Sequence, residues 1–317
     1  MSIIAKNIQE VLSAKGEIRA GGTDYMDRRR HGVTEGEIVD ISRLTGLDQI
    51  VYSEGRAMIG ALATIHQVAT DPGIIKDYPG LAMAAASLAT PQIRRTASMG
   101  GALLQKNRCW YFRHSDFPCH KKGGFSCPAR GGNHKYGVCF DLGECIAPHP
   151  STLGMALMAY GAEVEIEGKG RRSMEALYGD GKDATRDHQL KEGEVLTAIY
   201  LPAPLPGEKA GYFRTISRAR AEWPLVEVMV RYRLQGGKIA DAAVGMGGVA
   251  PVPLSLPKVA GYLNGKEETD KFFKSAGELA TRKNKPLPQT GYKVEMIEAT
   301  VFETLRRAKE GIWGGEG

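Results

Sequence analysis

The 317 residues contain no run of 18 or more apolar side chains, so no segment reads as a membrane-spanning helix. Lys and Arg number 42 against 36 Asp and Glu, a formal net charge of +6. No basic run is interleaved with aromatics, so nucleic-acid binding is not implied. The Arg28-Arg29-Arg30 triplet is short and reads as a solvated face. No Ser-His-Asp arrangement and no His-Glu-x-x-His occurs, and the seven histidines are scattered, so hydrolytic chemistry has no signature here. Met1 to Lys15 lacks an apolar core followed by a small-residue cleavage site, which sets a default expectation of the cytoplasm. Internal repeats and low-complexity tracts are absent too.

Cysteine is scarce, yet all five cysteines fall in one stretch rich in Gly, Pro, His and Lys: Cys109, Cys119, Cys127, Cys139 and Cys145. Thiolates on a segment that can turn freely suit a soft metal centre, because each ligand needs its own direction of approach. Disulfides suit a small secreted domain, whereas this chain is long enough to bury a core and its cysteines are odd in number. Structural zinc favours close Cys-x2-Cys pairs, and none is present. An iron–sulfur cube tolerates wide gaps, since its ligands attach at separate corners. The spacing favours the cube over zinc and leaves reduced thiols without metal as the third reading.

The apolar pattern is mixed α and β, in a chain of about two domains. It predicts helices over Ile3 to Lys15, Tyr78 to Thr90, Leu153 to Tyr160, Lys266 to Arg282 and Val294 to Lys309. Strands are expected at Ile38 to Ile41, Met58 to Leu62, Ala162 to Ile166, Val195 to Tyr200, Leu225 to Leu234 and Ala242 to Val249. The break Pro202-Ala203-Pro204-Leu205-Pro206-Gly207 marks a domain boundary between 1–203 and 208–310. Two glycine turns precede the cysteines, Ala20-Gly21-Gly22-Thr23-Asp24 and Thr96-Ala97-Ser98-Met99-Gly100-Gly101-Ala102. Missing side chains let backbone N–H groups converge into a nest for phosphate oxygens. Each turn alone is weak evidence, and neither has a Walker or Rossmann spacing. Two nests in one domain suit a pyrophosphate, hence a dinucleotide.

These turns, with Ile38-Val39-Asp40-Ile41, Ile59-Gly60-Ala61, Gln92-Ile93-Arg94-Arg95, His149-Pro150-Ser151, Gly193-Glu194-Val195-Leu196 and Arg218 ahead of Leu225-Val226-Glu227-Val228, resemble the FAD-binding medium subunit of molybdenum hydroxylases of the xanthine dehydrogenase family. The resemblance covers nearly the whole chain. It implies an α+β fold, with a two-part FAD-binding domain of the vanillyl-alcohol-oxidase type and a smaller α+β C-terminal domain. The insertion 105–147, with Asn107-Arg108-Cys109-Trp110-Tyr111-Phe112, Pro118-Cys119-His120-Lys121, Ser126-Cys127 and Glu144-Cys145-Ile146-Ala147, is similar to that of flavin subunits of periplasmic aldehyde oxidoreductase and, less closely, of 4-hydroxybenzoyl-CoA reductase.

By that resemblance Cys109, Cys119, Cys127 and Cys145 hold a [4Fe-4S] cluster and Cys139 is spare. FAD is expected on Ala20, Gly21, Gly22, Thr23, Asp24, Thr96, Ser98, Gly100, Gly101, Ala102, His149, Thr152, Glu194 and Trp223. Ala102 and Thr152 stand where the family usually has Asn and Asp, which predicts that FAD is held differently or more weakly. The implied role is electron transfer between [2Fe-2S] centres of a small subunit and an external acceptor, with substrate oxidised by a molybdenum-bearing large subunit. In the reductase-like alternative, electrons run the other way. A zinc-stapled flavoprotein is the alternative from another class. Relatives of the aldehyde oxidoreductase kind imply a periplasmic alternative, reached on a partner's signal.

Overall fold

A computed structural model describes residues 2–219 and 221–313. The chain opens with a parallel three-stranded sheet in the order Ser2–Ile4, Ile38–Asp40, Glu17–Arg19. The helix expected from Ile3 begins only at Ile8, because Asn7 is extended (φ −152°) and its side chain accepts the Glu10 N–H as an N-cap. The residues before it are drawn into the sheet.

A second, antiparallel sheet runs Ile50–Ser53, Arg56–Gly60, Leu196–Tyr200, Glu163–Ile166, Gly170–Ser173. The connection from Arg56–Gly60 to its neighbour Leu196–Tyr200 carries the helices, the cysteine stretch and the strands Glu163–Ile166 and Gly170–Ser173. Helix Pro79–Ala86 is Ala-rich and almost wholly buried, which allows close approach to helices Ile65–Thr70 and Thr152–Tyr160.

The third sheet is antiparallel, ordered Leu254–Ser255, Lys238–Gly247, Val226–Gln235, Lys209–Thr215. Along Val226–Gln235 alternate side chains serve two cores. Val226, Val228, Val230 and Tyr232 pack with Phe273, Ile297, Val301 and Leu305 of helices Asp270–Thr281 and Lys293–Glu310. Met229, on the other face, joins the core built around helix Thr152–Tyr160. Each buried aliphatic side chain contributes about 1.5–3 kcal/mol. All nine residues of Thr152–Tyr160 are buried, and its backbone presses close to the sheet: a Cβ on Gly245 would lie 2.6 Å from the Met155 carbonyl oxygen.

The cysteine stretch is seated between the two ends of the molecule. Arg113 donates to Asp24 Oδ1 (2.6 Å) and Asp27 Oδ2 (2.9 Å) on the N-terminal side. His134 N–H donates to Gln289 Oε1 (3.0 Å), and Tyr292 Oη to the Lys135 carbonyl (2.9 Å), on the C-terminal side. Among the described residues no helix is long and apolar enough to cross a membrane.

Candidate cofactor clefts and the cysteine cavity

The two glycine turns meet. A Cβ on Gly21 would lie 1.9 Å from the Thr96 carbonyl oxygen, so no side chain fits where the turns cross. Together they wall a cleft of about 700 Å³, lined by Ala20, Gly21, Gly22, Thr23 and Asp24 from one turn and Ser98, Gly100 and Gly101 from the other. Gly22 takes the left-handed conformation (φ +74°) that a bulkier residue resists. Glu194 lines the same cleft but is clamped by Arg172, at 2.9 and 3.1 Å, and that pairing lowers its pKa. Ser98 Oγ accepts the Gly101 N–H at 3.2 Å as a helix cap.

Three cleft residues carry no sequence signal. Arg19 Nε and His188 Nδ1 are buried without a partner among the described residues, although the Arg19 guanidinium also pairs with Asp40, and Lys106 lines the same wall. Burial, then the Lys106 charge, pushes His188 down to about 3, so its imidazole is neutral. Spare donors and cationic groups around two glycine turns fit a group bearing a pyrophosphate.

Asp24 does more than line this cleft. Its carboxylate meets Arg28 (3.0 Å), Arg108 (3.1 Å) and Arg113 (2.6 Å). Burial would raise its pKa, but Arg108 and Arg113 outweigh that and hold it below the usual range. The first glycine turn is thereby tied to the cysteine stretch.

The remaining expected residues lie elsewhere. Thr96 supplies its carbonyl to the crossing of the turns while its hydroxyl donates to Gln92 O (3.2 Å). Ala102 is buried, and its carbonyl accepts from Gln105 Nε2 (2.8 Å). Thr152 is fully buried beside the Tyr212–Glu227 pair, its hydroxyl making no hydrogen bond of normal geometry. None of the three lines the 700 Å³ cleft.

His149 and Trp223 line a second cleft of about 390 Å³, between the cysteine stretch and the C-terminal sheet. His149 Nδ1 accepts the Ser151 N–H (3.2 Å), which fixes the proton on Nε2, and that N–H donates to the Asp187 carbonyl (3.1 Å). Burial pushes its pKa down to about 4. Trp223 lies under the Arg108 guanidinium, 4.5 Å from the ring centroid. Arg108, which also binds Asp24, thus stands between the two clefts.

Four of the five cysteines, Cys109, Cys119, Cys127 and Cys145, line one small cavity. The carbonyls of Cys109, Cys119 and Cys127 each accept from an N–H three or four residues on, so each cysteine opens a turn. Arg130 binds Asp141 twice (2.7 and 3.0 Å) and the Glu144 carbonyl (2.9 Å), which fastens the Cys145 loop to the turn after Cys127. Asp187 is the buried anchor that sequence reasoning missed. It pairs with Lys121 (3.2 Å) and accepts from the Asn107 side chain (3.3 Å), both within the cysteine stretch. Cys139 is not at the cavity: its N–H donates to Val249 O (2.8 Å) and it packs in the C-terminal core.

Burial raises the Cys109 thiol, and raises Cys145 to about 11 although Lys121 opposes it. Bare thiolates are therefore disfavoured there, whereas a cationic centre would reverse the balance. His120 Nε2, from a residue on the cavity wall, is buried without a partner among the described residues. No three His, Cys, Asp or Glu side chains among the described residues gather around a single-ion position. The four thiols reach the cavity, about 20 Å³, from separate turns of the stretch.

Comparison with known proteins agrees with this architecture. The family described as "FAD binding domain in molybdopterin dehydrogenase" matches residues 3–204, and "CO dehydrogenase flavoprotein C-terminal domain" matches residues 211–308. The chain is 31% identical to the aldehyde oxidoreductase FAD-binding subunit PaoB of Escherichia coli (strain K12), over 96% of this chain and 94% of that one. It is 23% identical to the carbon monoxide dehydrogenase medium chain of Hydrogenophaga pseudoflava, over 95% and 91%. Among solved structures, quinoline 2-oxidoreductase from Pseudomonas putida 86 shares the fold with a TM-score of 0.75 at 20% identity, covering 99% of this chain and 98% of that one. The fold and the sequence together define an FAD-binding oxidoreductase subunit. The chain belongs to the FAD-binding medium subunits of the molybdenum hydroxylase family.

Proposed function

We propose that this chain is the electron-transfer subunit of a three-part molybdenum-containing aldehyde oxidoreductase or aromatic hydroxylase, carrying FAD and one [4Fe-4S] cluster. A molybdenum-bearing large subunit oxidises the substrate, a small subunit with [2Fe-2S] centres relays the electrons, and this chain delivers them to an external acceptor. The observation that carries the reading is the sorting of the cysteines. Four share one cavity and the fifth packs in a separate core.

In this reading the glycine turns, Arg19 and Lys106 hold the pyrophosphate of FAD in the 700 Å³ cleft. Cys109, Cys119, Cys127 and Cys145 hold the cluster. The cofactors supply one- and two-electron redox chemistry, and the protein sets their environment through burial and hydrogen bonding. Asp24 braces the flavin cleft against the cluster segment through Arg108 and Arg113. The chain purified alone should bind FAD yet oxidise no aldehyde or heteroaromatic compound, and should gain that activity on assembly with the two partners. Steady turnover of such a substrate by the isolated chain would refute the assignment.

A further inference from the structure

His188 stands in a loop with no helix or strand to hold it, yet its backbone is fixed on both sides. Asp187, before it, is a buried carboxylate that pairs with Lys121 (3.2 Å) and accepts from the Asn107 N–H (3.4 Å) and side-chain amide (3.3 Å). Its carbonyl accepts from His149 Nε2 (3.1 Å). After His188, the Gln189 N–H donates to the Leu177 carbonyl (2.7 Å). Taking two charges out of water is costly, and the Lys121 and Asp187 side chains are only 7% and 4% exposed. That cost secures a segment whose next side chain lines the flavin cleft.

The imidazole itself is left free. It lines the cleft with Lys106, and its Nδ1 is buried with no hydrogen-bond partner among the described residues. A buried polar atom without a partner destabilises the empty protein, so its presence here points to a partner that arrives with the occupant of the cleft. The neutral ring offers one donor and one acceptor. It can add a hydrogen bond without adding charge to a cleft that already carries Arg19 and Lys106. We propose that His188 hydrogen-bonds FAD, and that Lys121 and Asp187 are positioning residues that aim its ring at the cofactor. Resting on the flavin reading, this assignment needs no particular metal at the cysteines. It gives the cysteine stretch a second task. Through Lys121 it sets one wall of the flavin cleft, as through Arg108 and Arg113 it braces the other.

The test is a fluorescence titration of the full chain, freed of its flavin, with FAD, in the parent and its variants. His188→Leu should weaken FAD binding roughly tenfold, and His188→Gln, whose amide keeps a donor and an acceptor, should recover most of that loss. Melting of the FAD-free chain is the second readout. Because the ring's Nδ1 has no partner there, His188→Leu should melt no lower than the parent. Lys121→Met/Asp187→Asn removes both buried charges together. It should weaken FAD binding in the parent background yet add nothing to the loss in His188→Leu, since residues that act through one another are not additive. The proposal fails if His188→Leu binds FAD as tightly as the parent, if its FAD-free form melts lower, or if the two losses add. A parent that takes up no FAD at all would instead refute the flavin reading.

Discussion

At the scale of single residues, Asp24 has the largest consequence. It was read from the sequence as a turn residue near a cofactor, and the structure surrounds its carboxylate with Arg28, Arg108 and Arg113. Asp24→Ala removes the carboxylate the three arginines share, while Arg28 keeps Glu17 and Arg113 keeps Asp27, so a loss of about 1–3 kcal/mol in urea unfolding is expected; a loss below about 0.5 kcal/mol would show that Glu17 and Asp27 suffice. Glu227 gives a pH-dependent signature. Burial raises it to about 6, and Tyr212 Oη donates to it at 2.8 Å. The folded state therefore holds a proton that the unfolded chain releases near pH 4.5. Its contribution to stability is full below that pH, falls as pH rises through about 6, and is flat above. Glu227→Gln keeps an acceptor for Tyr212 and should gain about 2 kcal/mol on the parent between pH 4.5 and 7.5. Melts at the two pH values check this, and an unchanging difference would contradict it. Gly21 and Gly22 were legible because only glycine suits their turn. Asp187, Lys106 and His188 were not, since their roles come from contacts across distant segments, such as Asn107 with Asp187, that leave no local pattern.

At the scale of elements, strands and helices with strong periodicity were legible. Alternation in Val226–Gln235 and the apolar stripe of Lys293–Glu310 put those elements within a residue or two of the expected limits. Short helices such as Met99–Leu103 and Met174–Tyr178 were missed, because one turn of helix offers no repeat to read. The start at Ile3 was misread because the same apolar residues also suit a short parallel strand. For the cysteine stretch, spacing alone left three readings open; the resemblance set Cys139 apart from the other four, and the folded chain places it away from the cavity they line. Cys119→Ser should lower the iron content of anaerobically purified protein well below that of the parent. Cys139→Ala should leave iron unchanged while costing about 1–2 kcal/mol through its core cavity. Equal iron loss in the two variants would contradict the sorting.

At the scale of the whole molecule, the two halves share structure. Helix Thr152–Tyr160 supplies a face to each, and the Tyr160 hydroxyl accepts the Gly80 N–H (3.0 Å) while donating to Glu208 (2.6 Å), which pairs with Arg231 (2.8 Å). The cysteine stretch is pinned to both ends, so cofactor clefts and cavity lie along one seam. That arrangement could not be read from the order of elements, since it depends on which faces dock. It suits a conduit in which the substrate is handled by a neighbouring subunit. The most direct test is cofactor analysis of the full chain purified without air, by metal content, acid-labile sulfide and absorbance. The account predicts about four irons, about four sulfides and one FAD per chain; a colourless protein holding one zinc, or neither iron nor flavin, would contradict it.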